Sequence, residues 1–313
     1  MYYSDAQFNT GGDLPITTYY GKSELTTFLD YGEQSANGEF RNVQRHLDGQ
    51  DAYDQWHLAL YMKDYLQCLA VSRQSEVRFD EIPRPDKNVL GYLFAQCLEE
   101  FESVCELGST LFEVIEGFRC TEKWLASQAG AGDPRLSLDP CRWVGVEISD
   151  LFRNAAELLH PNQDVMHVMS TDDISKPVSL MLDRSVSNYC YESSAEFATA
   201  VNRSGAAFLN SYFSLEETFT STRYAKQLTY FSLRDFIAHS EMDLFHLYGR
   251  TAPRPIGNQD LAGGRRVIEG FWFAGRPEIV EQFRDRVGLL PEVSHFLDQR
   301  DFAVTPAQQF LDM

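Results

Sequence analysis

Acidic side chains follow several short apolar runs in the second half of this 313-residue chain. Carboxylates accept hydrogen bonds from hydroxyl and amino groups, so the repetition favours a ligand that carries both groups over a phosphate-rich one. Taken singly, each acid is equally well interpreted as a helix cap or a solvated turn residue. The acids in question are Glu147, Asp172, Asp173 and Asp183.

A further candidate lies upstream, in "STLFEVIEGFRCTEKWLAS" (109–127), whose pattern predicts an apolar strand, a glycine turn and a helix. Glu113 and Gly117 fall in this stretch. A dinucleotide fingerprint has three glycines at such a turn, and here there is one. The P-loop pattern G-x-x-x-x-G-K-[ST] does not occur in the sequence, which argues against an ordinary P-loop nucleotidase.

The elements that must position these acids are short strands alternating with helices. This alternation predicts a parallel sheet with helices on both faces. In such sheets ligands bind outside the carboxyl ends of the strands, where the acids are expected. The predicted strands cover 111–116, 142–148, 165–170, 178–183 and 206–213, and a terminal hairpin covers 242–249 and 265–275.

The whole chain is predicted to divide into three parts. Residues 1–107 are predicted to form an irregular arm and a helical lid, with a helical pattern from about 22 to 106. Residues 108–276 form the α/β domain, and 277–313 form a C-terminal helical tail.

The composition excludes several classes of partner. The formal net charge of −19 argues against nucleic acid and anionic membranes, which attract basic surfaces. No apolar run reaches 18 residues and no secretory signal begins the sequence, so we expect a cytoplasmic protein with no membrane partner. The expected partner is a small-molecule acceptor, and a homodimer is possible. The six cysteines are scattered and form no metal-binding pattern, so we expect reduced, mostly buried thiols and no metal.

Two longer stretches carry a resemblance to a known family. "LMLDRSVSNYCYESSAEFATAVNRSGAAFLNSYFS" (180–214) resembles the fourth strand, the following turn and helix, and the fifth strand of class I S-adenosylmethionine-dependent methyltransferases. "LTYFSLRDFIAHSEMDLFHLYG" (228–249) is similar to the next helix and the sixth strand of that family. The resemblance covers roughly 108–275. It implies an α/β, Rossmann-like methyltransferase fold: a seven-stranded, mostly parallel sheet with an antiparallel C-terminal hairpin, plus the N-terminal helical lid.

The resemblance also implies roles for individual residues, with S-adenosylmethionine as cofactor. Glu113 and Gly117 match the first acid and one glycine of the family's E-x-G-x-G-x-G turn. Glu147 matches the acid that binds the ribose hydroxyls, and Asp172 or Asp173 the acid that meets the adenine amino group. Asp183 falls near the methyl group and the acceptor.

The sequence departs from the family at the glycine turn. Ile115 and Arg119 stand where glycines are expected, and Phe118 adds bulk between them. Such side chains could block the amino-acid end of the cofactor, because glycine lets backbone approach a ligand closely. Alternatively, Arg119 could pair with the cofactor carboxylate.

Methyl transfer needs chiefly alignment of the two reactants, and a general base helps when the acceptor is a hydroxyl. The catalytic candidates are Asp183, Tyr189 and His239, with Tyr189 favoured as base for its position beside Asp183. His167 and His246 lie within predicted strands and are interpreted chiefly as core histidines.

Three functions are compatible with these observations. The first is methyl transfer from S-adenosylmethionine to a small molecule, such as a sugar or secondary metabolite, at oxygen or nitrogen. The second is a catalytically inactive methyltransferase-like protein that acts as a binding or scaffold partner. The third is other group-transfer chemistry on a related adenosyl ligand.

Overall fold

The computed structural model describes residues 49–128, 138, 141–184, 186–223, 226–250 and 265–312. The predicted N-terminal arm, most of the loop 130–141 and the loop 251–264 lie outside the described residues. Within these ranges the chain forms a single mixed sheet with helices packed on both faces. The strands are β1 Ser103–Leu107, β2 Arg142–Val146, β3 Asp164–Val168, β4 Val178–Arg184, β5 Ser204–Ser214, β6 Phe219–Arg223, β7 Lys226–Ser232, β8 Asp243–Arg250, β9 Val267–Gly275 and β10 Thr305–Pro306.

The sheet has the order β10-β8-β9-β5-β4-β1-β2-β3. Strands β1 to β5 run parallel to one another, whereas β9 is antiparallel to both β5 and β8. The predicted fold class is therefore confirmed, as a Rossmann-like α/β sheet that ends in an antiparallel hairpin. The sequence did not predict β6 and β7, a ribbon whose second strand pairs with the end of β5, or the two-residue β10.

The helices connect and cover these strands. Three of them, α2, α8 and α9, have proline at N1 or N2, where the missing N–H costs nothing. Serine side chains cap α6 and α7. The helices are α1 Gly49–Ser72, α2 Pro85–Ala95, α3 Glu113–Ala126, α4 Asp150–Leu159, α5 Ser187–Cys190, α6 Ser194–Val201, α7 Leu233–His239, α8 Pro277–Gly288, α9 Pro291–Asp298 and α10 Gln308–Leu311.

Each face of the sheet carries its own apolar core. On one face, Phe94 of α2 stacks on Phe283 of α8 and on Phe273 of β9, with ring centroids 3.8 and 4.4 Å apart. On the other face, Phe197 of α6 and Phe236 of α7 pack against the sheet. Burying aromatic and aliphatic side chains on both faces stabilises this arrangement.

The first predicted strand is wrong. The run "LFEVIE" (111–116) lies in the turn before α3 and in its first residues, whereas the first strand is the preceding segment "SVCEL", which is buried throughout. Strand β1 pairs with β2 on one side and with β4 on the other. These partners are distant in sequence, so no local pattern distinguishes the two apolar runs.

The same finding corrects the N-terminal boundary. Because β1 is part of the sheet, the α/β domain begins before residue 108, and the helical pattern predicted to residue 106 ends earlier. Helix α2 also belongs to the core, since Val89 to Ala95 are fully buried in one cluster with sheet residues.

Helix α1 packs on α4, where the Tyr61 and Phe152 rings meet edge to face at 5.9 Å. The Tyr65 ring meets His160, which follows α4, at 5.5 Å, so α1 and α4 run in the same direction. The helical turns of α1 before Tyr61 therefore extend beyond the start of α4. Across the described part of the chain, no helix has the length and apolar character needed to cross a membrane.

Candidate functional site

The candidate site lies at the carboxyl ends of β1, β2, β4 and β5, called here the carboxyl edge. The strand order reverses between β1 and β4, because β2 and β3 continue on one side and β5 on the other. Parallel sheets bind ligands in the crevice outside such a switch point. The residues that immediately follow these strands are therefore the ones to examine.

The connection from β1 to α3, residues 108–112, is a tight turn with three residues at positive φ, namely Gly108 at 61°, Thr110 at 47° and Phe112 at 51°. This conformation suits glycine but strains a β-branched or aromatic residue. Holding Thr110 and Phe112 there costs about 1–3 kcal/mol each. The turn therefore has the backbone of a glycine-rich loop with larger side chains in place of two glycines.

Contacts from the end of β2 and from the end of α4 hold the turn. The N–H of Gly108 donates to Val146 O at 2.9 Å, and the N–H of Thr110 donates to Oε2 of Glu147 at 3.2 Å. The Nε2 of His160, whose pKa is lowered by burial, donates to Leu111 O at 2.9 Å.

The Phe112 ring fills a space over β2 that a glycine leaves open. A Cβ at Gly145 would stand 2.6 Å from the ring of Phe112 and 2.3 Å from Oγ of Ser109. The ring also lies 5.1 Å from that of His167. Gly145 is therefore required for the turn to lie close to the sheet.

A buried ion cluster lies beside this turn. The Nζ of Lys87, from α2, is 2.5 Å from Oε1 of Glu106 in β1 and 3.3 Å from Oε1 of Glu113 in α3. All three residues are buried. Neither Lys87 nor Glu106 was predicted as a site residue. The signal in the sequence is the E-x-G step "ELG" (106–108), whose strand is too short to stand out.

Glu147 follows β2 at the carboxyl edge, as the sequence predicts. Besides the bond from Thr110, its Oε1 accepts the Ser149 N–H at 3.0 Å, which fixes the carboxylate direction. The adjacent Ile148 is 69% exposed, and Met169, after the neighbouring strand β3, is 60% exposed. Large exposed apolar side chains beside a fixed carboxylate suit a ligand with a flat apolar part and hydroxyl groups. Sequence reasoning missed both apolar residues, because only exposure distinguishes them from core positions.

Asp172 and Asp173, which follow β3, both have partners within the protein. Asp172 pairs with Arg203 at 2.8 Å, just before the amino end of β5. Asp173 Oδ2 accepts the Ser170 N–H at 3.2 Å, and Ser170 Oγ accepts the Asp172 N–H. Asp173 therefore has a capping role, which the sequence left open, whereas the Asp172 carboxylate is paired with Arg203.

Asp183 is buried at the end of β4, and its carboxylate accepts four hydrogen bonds. The donors are the backbone N–H groups of Val186 and Ser187, at 2.9 and 3.0 Å, and the hydroxyls of Ser187 and Ser211, at 2.6 and 2.7 Å. Burial raises the pKa of Asp183, and the four donors oppose that shift. The carboxylate therefore fixes the start of α5 and ties it to β5.

Tyr189 and His239 lie at opposite ends of the sheet. Tyr189, in α5, follows the carboxyl end of β4 and is 40% exposed. His239 ends α7, and its carbonyl accepts a bond from Asn202, just before the amino end of β5. His239 is therefore not part of the carboxyl edge. Burial lowers the pKa of both His167 and His246 to about 4, which supports their interpretation as core histidines.

The structure corrects the predicted glycine turn at 113–119, because all its residues lie in α3. Glu113 begins the helix and pairs with Lys87. A Cβ at Gly117 would stand 2.2 Å from the Asn88 carboxamide, so this glycine allows α2 and α3 to pack closely. Arg119 pairs with Glu116 at 2.5 Å, one helical turn away. Ile115 and Phe118 are core residues and do not replace glycines of a turn.

Within the described ranges, no group of three or more histidine, cysteine or acidic side chains has the geometry of a metal site. All six cysteines are free, and five of them are buried, as the sequence predicts. The sixth, Cys190, is exposed beside Tyr189.

No protein-family model and no curated protein match this sequence. Among solved structures, similar ones include the N-terminal domain of EvdMO1 crystallised with SAH and D-fucose, at 9% identity over 69% of this chain and 96% of that one, with a TM-score of 0.39. DesVI from Streptomyces venezuelae matches at 12% identity over 72% and 97% of the two chains, with a TM-score of 0.36. The sugar N-methyltransferase KedS8 from Streptoalloteichus sp ATCC 53650 matches at 13% identity over 62% and 87%, with a TM-score of 0.40. Likeness at this level carries no conclusion about activity.

Proposed function

We propose that this protein transfers a methyl group from S-adenosylmethionine to a small-molecule acceptor, bound at the carboxyl edge. The observation that carries the proposal is the Glu147 carboxylate, held by the turn 108–112 and Ser149 beside the exposed Ile148 and Met169. In this arrangement Glu147 would accept hydrogen bonds from the ribose hydroxyls, and the two apolar side chains would contact the adenine.

The turn supports this assignment because its backbone has the positive φ angles that are typical of a glycine-rich loop. Three residues at positive φ bend it toward Glu147, and α3 begins immediately after it. The N–H groups at the start of a helix of this length favour a negatively charged group, such as the cofactor carboxylate. When bound, the cofactor supplies an activated methyl group, and the protein has to align it with the acceptor.

We place the acceptor beside α5, where Tyr189 is the one catalytic candidate exposed at the carboxyl edge. Asn188 connects this helix to β7 of the ribbon and to β5, since its Nδ2 donates to Thr229 O at 2.6 Å and to Tyr212 O at 3.2 Å. The ribbon and α5 would form one wall of the acceptor site. The first turns of α1, which extend beyond the start of α4, are the part of the N-terminal region that suits a lid.

The acceptor class that we propose is a sugar or secondary metabolite methylated at oxygen or nitrogen. The scaffold alternative rested on Ile115 and Arg119 in place of turn glycines, and that reason is lost because both residues lie in α3. Asp172, Asp173 and Asp183 remain proposed cofactor contacts that would require a change of partners on binding, because each is engaged within the chain.

A turnover assay with a panel of amino and hydroxy sugars, including D-fucose, tests this function. Release of S-adenosylhomocysteine is measured with purified protein and S-adenosylmethionine. We expect turnover with at least one panel member and, for a hydroxyl acceptor, about a hundredfold lower kcat in Tyr189→Phe, the size of a lost general base. His239→Phe is the matched control and should retain wild-type kcat. Equal kcat in wild type and Tyr189→Phe on a hydroxyl acceptor would exclude Tyr189 as the base.

A further inference from the structure

The buried ammonium of Lys87 joins the two ends of the turn 108–112. One partner, Glu106, precedes the turn in β1, and the other, Glu113, follows it in α3. The lysine side chain is 9% exposed and those of the two acids 0% and 2%. When one partner of an ion pair buried to this degree is lost, the protein is strongly destabilised, because the remaining charge is left unpaired.

The same cluster continues to the cofactor edge through Thr110. The Oγ1 of Thr110 donates to Oε2 of Glu113 at 3.5 Å, and its N–H donates to Glu147 at 3.2 Å. The contacts thus form one connected path from Lys87 through Glu113 and Thr110 to Glu147. Each step on this path is a hydrogen bond or an ion pair between buried residues.

The turn needs such support because its own residues disfavour its conformation. Thr110 and Phe112 have φ of 47° and 51°, where side chains bearing a Cβ are strained. A glycine at either position would adopt this backbone without strain. Here the backbone has to be held from outside.

We propose that Lys87 is a positioning residue that replaces the missing turn glycines. By pairing with Glu106 and Glu113 it fixes both ends of the turn and keeps Thr110 and Glu147 in the arrangement that receives the adenosyl ligand. The ligand part of this inference rests on the proposed function, whereas the effect on the turn does not. A lysine that only neutralised two buried acids would stabilise the fold without any relation to residue 110.

Isothermal titration with S-adenosylhomocysteine separates these two roles. In Lys87→Met the competent turn is populated less, and we expect affinity to fall on the order of tenfold. Adding Thr110→Gly removes the strain at position 110 and should restore affinity to within about twofold of wild type. Adding Ser109→Gly, at a neighbouring residue without positive φ, is the matched control and should restore nothing.

Three results would overturn the inference: wild-type affinity in Lys87→Met, no recovery with Thr110→Gly, or equal recovery with Ser109→Gly. If Lys87→Met does not fold, the background becomes the triple variant Lys87→Met, Glu106→Gln and Glu113→Gln, which leaves no unpaired buried charge in the cluster. The same rescue by Thr110→Gly is expected there, and its absence contradicts the proposal.

Amide hydrogen exchange tests the effect on the turn without a ligand. Loss of Lys87 should speed exchange of the Thr110 N–H, which donates to Glu147, and Thr110→Gly should slow the turn amides again. Unchanged protection in the lysine variant would contradict the positioning role. If the wild-type protein binds no S-adenosylhomocysteine, the proposed function fails, and the exchange measurement still decides the role of Lys87.

Discussion

The two acids at the carboxyl edge differ in their surroundings. Glu147 accepts the backbone N–H groups of Thr110 and Ser149 and lies beside the exposed Ile148, whereas Asp183 also accepts two side-chain hydroxyls and is enclosed by α5 and β5. Both acids end strands, so the sequence could predict their position but not this difference. The donors to Asp183 come from α5 and from Ser211, 28 residues away, and only the fold brings them together.

The buried histidines predict a loss of stability in mild acid. Burial lowers the pKa of His246 to about 4 from an ordinary value of 6.5, and its ring lies between Trp272 and Phe310. Between these two pH values the unfolded chain binds a proton that the folded chain does not. The free energy of unfolding should therefore fall as pH drops from 6.5 towards 4, by up to ~1.4 kcal/mol per pH unit for each such histidine.

Urea unfolding at several pH values measures this dependence. His246→Leu should flatten the curve between pH 6.5 and 4, because it removes one of the protons taken up on unfolding. A wild-type slope in His246→Leu would show that this histidine is protonated in the folded protein.

At the scale of elements, the helix α3 is where the sequence-based prediction and the structure differ most. Its first residues, up to Arg119, were predicted as a strand and a ligand-binding glycine turn and only the rest as a helix, whereas the whole segment is a helix that contacts α1 and α2. Gly117 is the residue on which the two interpretations differ most. As a turn glycine it would approach the ligand, whereas in the helix it allows contact with Asn88.

Gly117→Ala should therefore destabilise the protein without weakening ligand binding. The added Cβ meets the Asn88 carboxamide, and overpacking of this kind costs about 1–3 kcal/mol in the free energy of unfolding. At Gly288, where a Cβ meets nothing within 4 Å, the same substitution should cause much less destabilisation. S-adenosylhomocysteine affinity, measured well below the unfolding transition, should stay at the wild-type value in both variants. A tenfold loss of affinity in Gly117→Ala, without a similar loss in Gly288→Ala, would show that Gly117 contributes to the ligand site.

The sequence predicts elements well where their pattern is local. Strands β2 to β5 and the hairpin β8–β9 have apolar runs bounded by helices or loops, and all of them form. Strand β1 has no such local signature, since its five residues, one of them Glu106, become a central strand by pairing with β2 and β4. Because the first strand was assigned to the wrong run, every residue predicted for the glycine turn lies in α3. The position predicted for Glu147, directly after β2, is the one that the structure has.

At the scale of the whole molecule, the candidate site depends on one sheet whose strand order reverses between β1 and β4. The carboxyl edge gathers the turn 108–112, Glu147 and α5 from three separate parts of the sequence. A net charge of −19 suits a small-molecule ligand with hydroxyl and amino groups better than a polyanion. The composition and the alternation of strands with helices could be inferred from the sequence, whereas the order of the strands in the sheet and the exposure of Ile148 and Met169 required the fold.

The most direct test of the central claim is isothermal titration of the wild-type protein with S-adenosylhomocysteine, beside Glu147→Gln. We predict micromolar binding in the wild type and a ten- to hundredfold loss, roughly the worth of a hydrogen bond to a charged group, in Glu147→Gln. Asp164→Asn, which removes the same charge at the amino end of β3, should bind like wild type. No binding by the folded wild-type protein, or equal affinity in wild type and Glu147→Gln, would contradict the account.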